Sequence, residues 1–288
     1  MASKRKTNAR AGSAKKPASR SAPRKAVAKP AARKAAPPAA ARTATVNGSA
    51  KGNTTAAARE TARLLLDIKA VHCRPENPFI FTSGRASPVY IDCRKIISFP
   101  EARARIMAHA NKAIGDDIGW SKIDVVAGGE TAGIPFAAFI AAAAKKPMVY
   151  VRKQPKGFGR MAQIEGELNP GQRVLLVEDL ATDGGSKVMF IDALRRAEAK
   201  VTDAFVIFHY GIFRQSVDVL AAMGVKLHAL ATWWDVLDAA ERYKLFDEKG
   251  LTETRAFLSA PDSWSATHGG RHTPHGAARP AMMANNGR

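Results

Sequence analysis

Three stretches of this sequence combine residue types that could act on a charged small molecule. In the first, the apolar run 173–177 leads into Glu178-Asp179-Leu180-Ala181-Thr182-Asp183-Gly184-Gly185-Ser186 and then into a helical pattern. Two adjacent carboxylates at a strand end are costly unless a hydroxyl-rich or cationic ligand compensates them. The turn behind them offers backbone N–H groups and glycines at a helix N-terminus, which suits a phosphate. Carboxylates for ribose hydroxyls beside a nest for a 5′-phosphate describe a ribose-phosphate site. In the second, the strand pattern 124–127 runs into Gly128-Gly129-Glu130-Thr131-Ala132-Gly133, another glycine-rich turn at a helix start, suited to a separate phosphate group. In the third, the strand pattern 148–151 leads into Arg152-Lys153-Gln154-Pro155-Lys156-Gly157-Phe158-Gly159-Arg160. Four cations among proline and glycines make a mobile loop that can close over a polyanion and neutralise developing charge. Gly157 to Ala162 also fits the GxGxxA dinucleotide spacing. It does not directly follow a strand, however, and no acid about 20 residues on closes a βαβ unit.

The elements that would position these stretches alternate along the chain. The periodicity predicts helices over 61–70, 101–114, 133–144, 186–196 and 216–223, and strands over 124–127, 148–151, 173–177, 204–208 and 225–230. Near-continuous apolar strands separated by helices imply a parallel sheet covered on both faces. Ligands in such sheets sit at the carboxyl ends of the strands, where all three stretches fall. Upstream, 79–92 combines alternating apolar residues with a hairpin-like Ser83-Gly84 turn and reads as a small β substructure able to cover a planar ligand. Trp233-Trp234 reads as core or interface at a helix start. His72, His109, His209 and His228 have no metal-like spacing.

Charge divides the chain of 288 residues into three. The formal charge is +20, from 45 Lys and Arg against 25 Asp and Glu. Residues 1–56 hold 14 of the bases and no acid, and 266–288 hold three more and again no acid, so the middle carries a net charge of only +3. A segment of Ala, Lys, Arg, Pro, Ser and Thr cannot bury enough surface to offset its chain entropy. Residues 1–56 are therefore expected to be a disordered basic extension, 57–265 the folded domain, and 266–288 a disordered tail. The basic extension offers weak, sequence-independent phosphate contacts of the kind that hold nucleic acid. It also shares the Arg-rich, acid-free composition of a transit peptide. Cys73 and Cys93 cannot build a disulfide scaffold or a cysteine zinc site, and they fit a reducing compartment such as the cytoplasm. The longest apolar run, 132–144, is too short to cross a bilayer, so no membrane association is expected.

The segment 174–186 (VLLVEDLATDGGS) resembles the phosphoribosyl-pyrophosphate (PRPP) motif of the type I phosphoribosyltransferases. With FTSGRASPVYID (81–92), the GGETAGIP turn and the VRKQPKGFG loop in the same order and spacing, the chain resembles the orotate phosphoribosyltransferases over about residues 60–240. The resemblance implies an α/β fold of the type I phosphoribosyltransferase kind: a central, mainly parallel sheet flanked by helices, with a small N-terminal hood. It implies Mg²⁺-dependent transfer of phosphoribose from PRPP to orotate, giving orotidine 5′-monophosphate and pyrophosphate. Glu178 and Asp179 would hold the ribose hydroxyls. Ala181, Thr182, Asp183, Gly184, Gly185 and Ser186 would surround the 5′-phosphate, and Leu180 before them would also belong to the PRPP site. Arg152, Lys153 and Lys156 would stabilise the pyrophosphate, with Gly129, Glu130 and Thr131 on its other side. Arg152, Lys153, Lys156 and Asp179 would carry the catalysis. Thr182, Thr82, Ser83, Tyr90 and Ile91 would meet orotate. Mg²⁺ would be held by ligand oxygens and water, with no residue of the chain as a dedicated ligand. A homodimer sharing the basic loop between subunits is also implied. The chain departs from the family pattern at Thr82 and Ala132, where lysines are common, at Phe158, where histidine is common, and at Gly211, where an arginine is common and Arg214 lies three residues on. Two alternatives stay open at this point: a transferase for another base, and a PRPP-sensing regulator that binds nucleic acid through 1–56.

Overall fold

The computed structural model describes residues 55–271, apart from 158, 160–162, 183–184 and 214. The expectations placed on Phe158, Arg160, Asp183, Gly184, Arg214 and the extension 1–54 lie outside the described residues. Helix α1 (Ala56–Asp67) starts where the Thr55 hydroxyl accepts the Ala58 N–H at 3.1 Å, and it buries Ala62 and Leu65. Four short strands follow: β1 (Val71–Cys73), β2 (Phe79–Ile80), β3 (Ala86–Ser87) and β4 (Val89–Ile91). β1 lies antiparallel to β4, with Val71 opposite Ile91. β2 and β3 form the hairpin expected around Ser83-Gly84, and Gly84 takes the positive φ of 86° that the turn requires. A 3₁₀ turn over Cys93–Ser98 is capped by Asp92, whose carboxylate accepts the Arg94 N–H at 3.1 Å. Helix α2 (Pro100–Asp117) begins at a proline preset for a first turn, and its Ile106, Ala110 and Ile114 stripe is buried.

The main sheet then alternates with helices: β5 (Val125–Gly129), α3 (Gly133–Ala144), β6 (Met148–Val151), β7 (Ile164–Glu165), β8 (Arg173–Ala181), α4 (Gly185–Arg196), β9 (Lys200–His209), α5 (Gln215–Ala222), β10 (Lys226–Thr232) and α6 (Trp233–Arg242). The spatial order is β10-β9-β8-β5-β6-β7, parallel except for β7 at the edge. Side chains alternate between the two faces. Val126, Leu175, Val177, Phe205 and Ile207 pack into the core shared with α1, α2, α3 and α6. Val125, Ala127, Val174, Leu176, Ala204 and Val206 pack on the other side with α4 and α5.

β8 is longer than its apolar run predicts. It stays paired with β9 as far as Ala181 opposite His209, so Glu178 and Asp179 lie inside the strand rather than in the turn after it. Two further helices, α7 (Glu248–Ser259) and α8 (Pro261–Thr267), pack back against the hood. Ser265 Oγ accepts the Ala86 N–H at 2.9 Å, Gly84 O accepts the Arg271 N–H at 2.8 Å, and Arg85 meets Asp262 at 2.6 Å. Trp233 is fully buried, edge-on to Phe208 and Tyr210. Among the described residues, no helix is long and apolar enough to cross a membrane.

Candidate active site

The carboxyl ends of β5, β6 and β8 open into one cavity of about 520 Å³. Glu130, Thr131, Lys153, Glu178, Asp179 and Ser186, all singled out by their sequence context, line it together, and Arg94, Ile97, Ala132 and Pro135 complete its wall. The β5 turn and the basic loop are tied to each other. Glu130 donates its N–H to Val151 O at 2.9 Å, and its carboxylate accepts the Lys153 N–H at 2.7 Å. The peptide bond between Glu130 and Thr131 is cis.

Because successive strand residues face opposite ways, the two acids diverge. Glu178 continues the face of Val174 and Leu176, toward α4, and is 8% exposed. Its carboxylate fits only because Gly129 and Gly133 have no side chains: a Cβ at Gly129 would overlap Glu178 Oε1, and one at Gly133 would lie 2.6 Å from it. Asp179 continues the face of Leu175 and Val177, where Arg94 stands near it. Burial pushes the Glu178 carboxyl up to about 7, against the pull of Lys187 and Lys153. Burial also raises Asp179. Lys187, in the first turn of α4, is 2% exposed; its Nζ donates to Leu180 O at 2.6 Å and stands 3.8 Å from Glu178 Oε2. Lys187 and Arg94 were not anticipated from the sequence. A lysine one residue into a helix reads as solvated, and Arg94 is aimed by a short 3₁₀ turn that carries no periodic signal.

The remaining candidates lie around this cavity rather than in it. Arg152 donates its N–H to Gln163 O, and its guanidinium lies 3.4 Å from Glu165. Lys156 is exposed, as is Gly185 at the start of α4. Leu180 and Ala181 act through their carbonyls, which accept from Lys187 Nζ and Tyr210 N–H. Thr182 follows them at the strand end, half-buried. Thr82 and Ser83 are exposed at the hairpin tip. Tyr90 packs on Phe79 and His72 in the hood, and Ile91 is buried in the core. Both cysteines are free thiols, and among the described residues no group of three or more His, Cys, Asp or Glu could hold a metal ion.

A parallel sheet whose strand ends converge an acid pair, a glycine-rich turn and a basic loop beneath a β hood is the architecture of a type I phosphoribosyltransferase. Residues 96–231 match the phosphoribosyl transferase domain family. The orotate phosphoribosyltransferase of Cereibacter sphaeroides is 54% identical over 207 residues, covering 72% of this chain and 89% of that one. That of Agrobacterium fabrum is 53% identical over 216 residues, covering 75% and 93%. The crystal structure of the orotate phosphoribosyltransferase from Aeropyrum pernix superposes with a TM-score of 0.55 at 32% identity, covering 65% of this chain and 99% of that one. The chain belongs to the orotate phosphoribosyltransferase family.

Proposed function

We propose that the cavity binds PRPP across the strand ends of β5, β6 and β8, and that the hood closes over orotate. The chain transfers phosphoribose from PRPP to orotate, forming orotidine 5′-monophosphate and pyrophosphate, a step in pyrimidine nucleotide synthesis. The observation that carries the reading is the convergence of Glu178, Asp179, Lys153 and the Glu130-Thr131 turn on one cavity. Family membership does not favour a transferase for another base or a PRPP-sensing regulator.

Breaking the bond between ribose C1′ and pyrophosphate builds positive charge on the ring and negative charge on the leaving oxygen. A ring nitrogen of orotate then bonds to C1′. The protein has little covalent work to do, so positioning and electrostatics must supply the rate. Glu178 and Asp179 hold the ribose hydroxyls and place negative charge near the developing cation. The turn from Leu180 to Ser186 takes the 5′-phosphate at the N-terminus of α4. Lys153 faces the pyrophosphate beside Glu130 and Thr131, and Arg94 adds a second cation to that wall. Arg152 and Lys156 belong to the same loop, and they reach a leaving group when the loop closes or extends into the site of a partner subunit, as a homodimer would arrange. Thr82, Ser83, Tyr90 and Ile91 belong to the hood segment that covers the base.

Mg²⁺ would be held mainly by ligand oxygens and water at this site, as the oxygen-rich chemistry of PRPP and the nearby acids Glu178 and Asp179 allow. When bound, it would neutralise charge on the leaving group. We place the enzyme in the cytoplasm.

The test is the loss of orotate absorbance in the presence of PRPP and Mg²⁺, comparing wild type with Lys153→Ala and Asp179→Asn. Turnover that both substitutions cut at least tenfold supports the reading. Turnover with another base and none with orotate overturns it.

A further inference from the structure

Lys187 is the most deeply buried charged residue of the described chain, at 2% exposure. A buried ammonium costs several kcal/mol unless it is paired and hydrogen-bonded. Its surroundings meet that cost from two directions. Nζ donates to the carbonyl of Leu180 at 2.6 Å and stands 3.8 Å from Glu178 Oε2. The bond to Leu180 joins the end of β8 to the first turn of α4 across the phosphate turn. Glu178 has little room to leave, because the backbone of Gly129 and Gly133 and the ring of Phe190 close over it. The charged groups facing Glu178 are Lys187 from α4, Asp179 beside it on β8, and Lys153 from the basic loop. Lys187 in turn faces Glu178, Asp179 and His209.

We propose that Lys187 is a positioning residue for the acids that hold the ribose: it staples the acid end of β8 to the start of α4 and supplies the charge that keeps Glu178 an aimed carboxylate. The inference rests on the reading of Glu178 and Asp179 as ribose ligands. Lys187 touches no substrate in this scheme. It acts through Glu178 and the Leu180 carbonyl, so removing its charge without changing its length acts on the acid.

The experiment compares wild type, Lys187→Met and Lys187→Arg. One readout is kcat/KM for PRPP from pH 5.5 to 9. The other is the carboxyl titration of Glu178 in the ligand-free enzyme, followed by carbon-13 NMR and assigned by its absence in Glu178→Gln. In Lys187→Met the carboxyl titration and the acidic limb of kcat/KM both move up by about one pH unit, a loss of about fivefold at pH 7. Lys187→Arg returns both toward wild type. An unmoved carboxyl titration overturns the proposal, even if turnover falls. A carboxyl that moves while the PRPP limb stays put overturns instead the reading of Glu178 as a ribose ligand. If Lys187→Met does not fold, the melting temperature of Glu178→Gln/Lys187→Met decides. The double variant, which removes both charges, melts above Lys187→Met by more than Glu178→Gln melts above wild type if the pair is coupled, and an equal or smaller gain overturns the proposal.

Discussion

Glu178 should be an acid the folded protein would be more stable without. Its carboxyl is pushed up to about 7 from an ordinary 4.5, with burial as the leading cause. The folded state therefore holds a proton that the unfolded chain releases between those values. An acid with a raised folded pKa adds no strain below about 4.5, and its cost grows as pH rises, reaching its full value above about 7. Between 4.5 and about 7 that cost builds to about 3 kcal/mol, which is present in full at pH 8. Glu178→Gln copies the protonated acid and keeps its shape. We expect the ligand-free variant to melt about 6–12 °C above wild type at pH 8, at 2–4 °C per kcal/mol for a domain of this size. At pH 5 the advantage shrinks below about 1 kcal/mol. In the proposed site the same substitution removes a charged partner of the ribose hydroxyls, and it should cut kcat/KM for PRPP about 10- to 100-fold. The assay is a pair of thermal melts at pH 8 and pH 5 beside PRPP kinetics. A variant that melts at or below wild type at pH 8 would refute the reasoning, because burial would then not be what holds the acid proton.

Gly129→Ala should both destabilise and inactivate, since its new Cβ would overlap Glu178 Oε1 and lie 2.5 Å from the Phe190 ring; a loss of about 1–3 kcal/mol in denaturant unfolding, with turnover falling alongside, is the expected result. His209, at the end of β9, is pushed down to about 4 by burial with a contribution from Lys187, so NMR should show its ring neutral and unchanging from pH 8 to 5. Its folded pKa lies below the unfolded value of 6.5, so its stabilising contribution is full above 6.5 and is lost as pH falls through 4, opposite in sign to that of Glu178. Ser216 Oγ donates to Phe213 O at 2.9 Å and therefore accepts from His209 Nε2 at 2.9 Å; Ser216→Ala should cost about 1–3 kcal/mol of unfolding free energy by stranding that N–H. Removing residues 1–50 should abolish salt-sensitive retention on DNA and leave orotate turnover unchanged, and DNA retention that survives the deletion would rule out the extension as a nucleic-acid tether.

The sequence announces elements whose signal is local and hides those defined by their partners. α3 and β6 fall where the pattern places them, because a run of small apolar residues ending at Lys145 and a four-residue apolar strand before a basic loop are complete in themselves. β8 outruns its apolar stretch because β9 continues beside it to His209, and nothing in VLLVEDLA says how far a neighbouring strand will reach. α7 carries a buried stripe at Gly250, Thr254, Phe257 and Leu258, but two of its four members are a glycine and a threonine, so the apolar pattern is thin. The site divides in the same way. The acid pair, the glycine turns and Lys153 are legible because their types and order define a binding chemistry. Lys187 and Arg94 are not, since neither owes its place to a periodic pattern: Glu178, nine residues back, draws the lysine inward, and Asp92 caps the short turn that aims the arginine. Alternation along β8 then settles what the adjacent letters of Glu178 and Asp179 leave open. One acid faces α4, the other faces the side of Arg94, so a pair that reads as a single bidentate feature is two acids that share Lys187 as a counter-charge but differ in accessibility and in the second cation beside them, Lys153 for Glu178 and Arg94 for Asp179. It follows that substituting one cannot stand in for substituting the other. In the proposed site Glu178 couples PRPP binding to the stability and pH response of the sheet, whereas Asp179, the less buried of the two, is balanced by Lys187 and by Arg94 together.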